Sequence, residues 1–140
     1  MKEEILIRVS GVQKDSKGEE NKIELVTEGI IYKKNNYLFI VYEESEISGM
    51  EGTTTTIKIE GENKIFLKRY GNNDSTMVFE MGKRYNSAYK TLYGNFEMEL
   101  YTNKLEVDIS NQLKQGKIEI HYELAISGLV ESKNQLTICF

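Results

Sequence analysis

Hydrophobic residues recur at every second position through the C-terminal third of the chain. Phe96, Met98 and Leu100 form one run, followed by Leu105, Val107 and Ile109, then Ile118, Ile120, Tyr122, Leu124 and Ile126, then Leu136, Ile138 and Phe140. Side chains alternate between the two faces of a β-strand, so each run places its apolar members on one face. The other face is left to Glu97, Glu99, Glu106, Asp108, Glu119 and Glu123. A helix would need a 3.6-residue spacing, and no extended window shows one. The pattern dictates a β-meander with one buried face.

Applied to the whole chain, the same reading gives strands over 4–12, 22–33, 37–44, 54–60, 64–70, 76–81, 89–102, 104–110, 117–127 and 136–140. Between them stand Lys34-Asn35-Asn36, Gly61-Glu62-Asn63, Gly71-Asn72-Asn73-Asp74, Thr102-Asn103, Gln115-Gly116 and Ser132-Lys133-Asn134. These residue types tolerate positive φ or bond their own backbone, as hairpin turns require. A helical turn fits at most within 43–52. The absence of proline suits a chain whose backbone N–H groups are mostly committed to ladders. Without crossover helices the strands must be antiparallel. This many short strands do not sit comfortably in one flat sheet, so the sheet is expected to curl and close. The expected fold is all-β: a single antiparallel meandering β-barrel of about eight to ten strands, forming one domain over residues 1–140. Barrels of this size fill with side chains or leave room for one small ligand.

Net charge is −4 and the isoelectric point is near 5.2, which argues against a general nucleic-acid partner or a membrane surface. The charge is uneven. Lys64, Lys68, Arg69, Lys83, Arg84 and Lys90, against Asp74 and Glu80, give residues 64–93 a charge of +4. The same stretch carries Tyr70, Tyr85, Tyr89 and Tyr93. Cations interleaved with rings are what a phosphate-bearing strand would use. Solvated strands carry the same residues for structural reasons. Cys139 is the sole cysteine, so no internal disulfide forms, and the start of the chain has no apolar signal region. A cytoplasmic setting without membrane attachment is expected. Asn73-Asp74-Ser75 matches a glycosylation acceptor but reads as an ordinary turn.

The chemical inventory points away from an enzyme, and no catalytic residue is assigned. His121 is the only histidine and shares the solvent face with Glu119 and Glu123. One histidine and one distant cysteine do not make a zinc site, so neither metal nor cofactor is expected. Glu43, Glu44, Glu46 and Glu51 read as a solvated charge run, and Thr53 to Thr56 as the β-branched start of a strand.

Several spaced segments together resemble a known family. They are Phe66-Leu67-Lys68-Arg69-Tyr70-Gly71, Met77-Val78-Phe79-Glu80-Met81-Gly82-Lys83-Arg84, Tyr89-Lys90-Thr91-Leu92-Tyr93-Gly94-Asn95-Phe96, and Ile120-His121-Tyr122-Glu123-Leu124 with Gly128. Essentially the whole chain resembles the uncharacterised bacterial YwiB-like family, with Leu92 standing where proline is common. The resemblance implies a calycin-like, lipocalin-like β-barrel and no established activity.

The alternation also locates a candidate site. Continuing the core face past Ile65 and Leu67 brings Arg69 inward, and continuing past Ile118 and Ile120 brings Tyr122 inward. A buried guanidinium demands a carboxylate or a bound anion. Arg69, Arg84, Tyr89, Thr91 and Tyr122 are the candidate ligand-binding residues, placed at a barrel mouth that grips an anionic group. Leu67, Phe79, Met81 and Phe96 would line the apolar part. Against this stands a structural role in which Arg69 pairs with a strand-end glutamate and the tyrosines only pack. The expected function is non-enzymatic binding of a small amphipathic or anionic molecule in the barrel. The alternative is a protein- or RNA-interaction module using the basic, tyrosine-rich stretch 64–93. The oligomeric state is left open.

Overall fold

Asn35 and Asn36 both take positive φ, 54° and 68°, and close a two-residue hairpin of the kind their short polar side chains favour. Such tight connections recur along the chain. The computed structural model describes residues 2–72, 74–127 and 130–140, without the side chains of Thr91 and Val130. Its ten strands are β1 (Lys2–Asp15), β2 (Glu20–Lys34), β3 (Tyr37–Glu43), β4 (Thr53–Glu60), β5 (Lys64–Gly71), β6 (Asp74–Glu80), β7 (Arg84–Thr91), β8 (Gly94–Ile109), β9 (Gly116–Ile126) and β10 (Val130–Cys139). Each pairs antiparallel with its predecessor, and β10 pairs with β1, so the sheet closes into a barrel. The expected all-β antiparallel barrel is the observed one. Its helical content among the described residues is one 3-10 turn at Glu46–Ser48, capped by Ser45, inside the 43–52 stretch where a turn was expected.

Register sorts the inward side chains into rows across the strands. One row is Ile31, Ile40, Ile57, Leu67 and Met77, and the next is Leu38, Ile59, Ile65 and Phe79. Ile118, Ile120 and Ile138 complete this core from the opposite wall, all nearly solvent-free. Each such buried side chain contributes about 1.5–3 kcal/mol. This half of the barrel, toward the β2–β3 and β4–β5 turns, is closed and apolar. The other end carries the β1–β2, β3–β4, β5–β6 and β7–β8 connections and is called the mouth here.

Most strands extend or stop a few residues from the expected bounds, and three connections differ outright. Residues 89–102 and 104–110 were expected to flank a turn at Thr102-Asn103. Instead β8 runs straight through, with Thr102 opposite Tyr122, Lys104 opposite His121, and Asn103 bulged out between them. A bulge and a hairpin both switch which residues face inward, from Met98 and Leu100 to Leu105 and Val107, so alternation alone does not separate them. The actual turn is at Leu92-Tyr93, between β7 and β8. Those two side chains are 83% and 92% exposed, an apolar tip that reads as strand. Ser132-Lys133-Asn134, expected as a turn, lies within β10, where Lys133 pairs with Glu123 and Asn134 with Tyr122. Ser132 and Asn134 face the interior near the mouth and bond each other, so polarity there marks a polar interior rather than a turn.

Candidate functional site

The row of inward residues nearest the mouth breaks the apolar pattern. Register aligns Tyr42, Thr55, Arg69, Ser75 and Tyr89 across β3 to β7. Gly29 of β2 begins the row, and a Cβ there would come 2.7 Å from the Val41 carbonyl oxygen and also crowd Ile7. The missing side chain lets Tyr42 and Ile7 close over the backbone.

Glu44, one residue past β3, turns into this row. Its carboxylate is 3% exposed, accepts a 2.7 Å hydrogen bond from the Thr55 hydroxyl, and lies 3.9 Å from Arg69 Nε. The Arg69 side chain is 18% exposed, and its buried Nε has no hydrogen-bond acceptor among the described residues. At 3.9 Å the contact is an ion pair rather than a hydrogen bond, so Glu44 balances the charge of Arg69 without satisfying Nε. Burial, and then the negative charge of Glu44, push the Tyr42 phenol above its ordinary value and keep it neutral. From the opposite wall Tyr122 packs edge-on against Phe79, ring centroids 4.9 Å apart. Burial raises the Tyr122 phenol too, partly offset by the positive charge of Arg69.

These groups line a cavity of about 240 Å3 beneath the β3–β4 connection, which contributes Ser48 and Met50. Tyr42, Glu44, Arg69, Tyr122 and Asn134 form its polar part, with Leu25 and Leu136 among its apolar lining. A larger cleft of about 570 Å3 lies on the outer wall, lined by residues such as Lys14, Arg84, Glu99 and Glu123. Its charges reach water, so it lacks the cost of burial that makes the mouth chemically distinctive.

The expected site residues divide accordingly. Arg69 and Tyr122 are brought together at the cavity. Tyr89 stands inward two strands from Arg69 but does not line it. Arg84 is on the outer wall, bonded to Glu99 and lying 5.3 Å over the Tyr101 ring, because its neighbour Tyr85 takes the inward position opposite Leu100. The Thr91 side chain lies outside the described residues, as do Asn73 and Gly128. Of the expected apolar lining, Leu67 and Phe79 fill the core, and Met81 is 57% exposed beyond β6. Glu44 and Thr55 were read as a solvated run and a strand start, yet both are buried partners of the site. The signal was available: Ile40, Tyr42 and Glu44 share one face by alternation, as do Thr55, Ile57 and Ile59. The basic stretch 64–93 does not form one face. Arg69 points in, Lys64 and Lys83 pair with Glu80, and Arg84 pairs with Glu99.

A family model described as a domain of unknown function, DUF1934, matches residues 7–138. The chain belongs to the DUF1934 family. The DUF1934 chain is 27% identical over 143 residues to the protein described as "Uncharacterized beta-barrel protein YwiB" of Bacillus subtilis (strain 168), covering all of this chain and 96% of that one. It also matches the crystal structure of the ywiB protein from Bacillus subtilis, with a TM-score of 0.86 at 23% identity, over 99% of this chain and 90% of that one. Sequence resemblance and closed barrel thus agree, and the DUF1934 chain shares the fold of that relative.

Proposed function

We propose that the barrel binds a small amphipathic molecule with an anionic group in the mouth cavity. The observation that carries this reading is the buried Nε of Arg69, which has no acceptor among the described residues and belongs to a cavity also lined by Glu44, Tyr42 and Tyr122. An anionic oxygen supplies the acceptor that Arg69 lacks. A hydroxyl or amine on the same ligand donates to Glu44, whose charge would otherwise repel the anion. Tyr42, held neutral by burial, is itself hydrogen-bonded to Glu44 and holds that carboxylate at the cavity wall. The apolar end rests against Leu25 and Leu136. The volume lies just below the roughly 300–1,000 Å3 of drug-sized sites, so the ligand is small. The calycin-like character of the fold belongs to this same reading.

Native mass spectrometry of the gently purified protein, followed by thermal-shift screening of small hydroxy acids and amino acids, tests it. The expected result is a stoichiometric adduct, or a stabilising compound, lost in Arg69→Met and retained in Arg84→Ala. A ligand at 100 times its Kd raises stability by about 2.7 kcal/mol, well within reach of such a screen. Binding that survives Arg69→Met, or its absence across the screen and the purified protein, overturns the reading.

A further inference from the structure

The mouth cavity is electrically balanced by its own lining. Among the described residues that line it, Glu44 and Arg69 are the only charged side chains. Tyr42 and Tyr122 add two phenols, and burial holds both neutral. The Glu44 side chain is 3% exposed and that of Arg69 18%, so a third charge without its own partner costs free energy there. A ligand with a net charge therefore upsets the cavity. A lone anion meets the repulsion of Glu44, and a lone cation that of Arg69.

The pair is also incomplete on both sides. Glu44 Oε1 and Arg69 Nε stand 3.9 Å apart, too far for a hydrogen bond. Arg69 Nε has no acceptor among the described residues. Glu44 accepts from the Thr55 hydroxyl and is hydrogen-bonded to the Tyr42 phenol. These bonds leave part of the carboxylate's accepting capacity, roughly four sites, still open. A hydroxyl could fill that capacity, but it would leave the charge of a ligand carboxylate uncancelled. An ammonium fills it and brings the ligand's own charge to zero. In an α-amino acid both groups hang from one carbon, which suits two protein charges a single ion-pair distance apart. Val9, Leu25 and Leu136 give the rest of the molecule an apolar wall.

We infer that the mouth cavity takes a zwitterion, a free α-amino acid with an apolar side chain, its carboxylate on Arg69 and its ammonium on Glu44. Resting on the anion-binding reading above, this assignment makes Glu44 the residue that tells an amino acid from a simple carboxylate. An analogue lacking either charge leaves one buried protein group without its partner.

Isothermal titration calorimetry with alanine, valine, leucine and methionine, each beside its α-hydroxy acid and its amino alcohol, tests the inference. At least one of the four amino acids binds wild-type protein, and its two analogues bind about tenfold more weakly or worse. Glu44→Gln weakens the amino acid about tenfold and leaves the hydroxy acid as tight or tighter, so the preference collapses. Arg84→Ala, on the outer wall, changes neither. A hydroxy acid that binds wild type as tightly as its amino acid, with Arg69→Met abolishing both, overturns the zwitterion and leaves the anion-binding reading standing. Amino-acid binding that survives Arg69→Met overturns both. No binding by any of the four amino acids overturns the zwitterion, and the anion-binding reading then stands or falls on its own screen. The wild-type comparison of analogues decides the matter even where a variant fails to fold.

Discussion

The closed half of the barrel and its mouth are built from the same strands, one row apart, yet they follow different rules. In the closed half Ile40, Ile57 and Leu67 pair across β3, β4 and β5 as a dry apolar layer. One row on, the same strands present Tyr42, Thr55 and Arg69, joined by Glu44, and the buried Nε of Arg69 finds no acceptor among the described residues. A folding core gains from removing apolar area from water, and nothing in that gain calls for a charge. A charge placed there costs free energy unless it is paired, and the incomplete pairing of Arg69 concentrates that cost at the cavity. The comparison separates what closes the barrel from what equips it.

The sharpest break of that comparison is Phe79→Ala. Phe79 is fully buried and carries Tyr122 on its edge, so truncation empties the closed half and loosens the mouth together. A loss of about 3–5 kcal/mol is expected in urea unfolding. A loss below about 1 kcal/mol would show that the two halves do not depend on this ring.

Glu44→Gln tests the mouth alone. The amide keeps an oxygen for the Thr55 hydroxyl but leaves Arg69 without a counter-charge. With Arg69 partly open to solvent, the expected loss is about 1–2 kcal/mol. A variant more stable than wild type would mean that the pair is held for a ligand at a net cost to folding, which sharpens the contrast further.

The smallest effect is alkaline. Tyr42 and Tyr122 are raised in the folded protein, so the stability they contribute is intact below an ordinary phenol value near 10 and is lost as pH rises beyond it. Each tyrosine held neutral costs about 1.4 kcal/mol per pH unit in that range. Urea midpoints between pH 9 and about pH 11 should fall more steeply for wild type than for Tyr42→Phe. Parallel slopes would place Tyr42 in a solvated environment.

Alternation in the sequence announced more of the site than a literal reading took from it. Arg69 and Tyr122 were found by extending apolar runs one step too far, and Glu44 and Thr55 yield to the same extension from Ile40 and Ile57. A cluster of glutamates and a run of threonines each also have an ordinary surface explanation, which hides their burial. Arg84 failed for a related reason: without knowing where β7 begins, its face could not be assigned. The apolar Leu92-Tyr93 tip concealed that boundary.

The sequence by itself determined the strand-dominated architecture, the buried face and the expectation of a closed antiparallel barrel, because a two-residue period and turn chemistry act locally. Only the tertiary structure decided which strands continue through a bulge and which turn back, since both events switch the inward face alike. It alone decided that Glu44 meets Arg69 and that Arg84 meets Glu99. Those encounters depend on cross-strand register, which closure of the whole barrel fixes and no single segment contains.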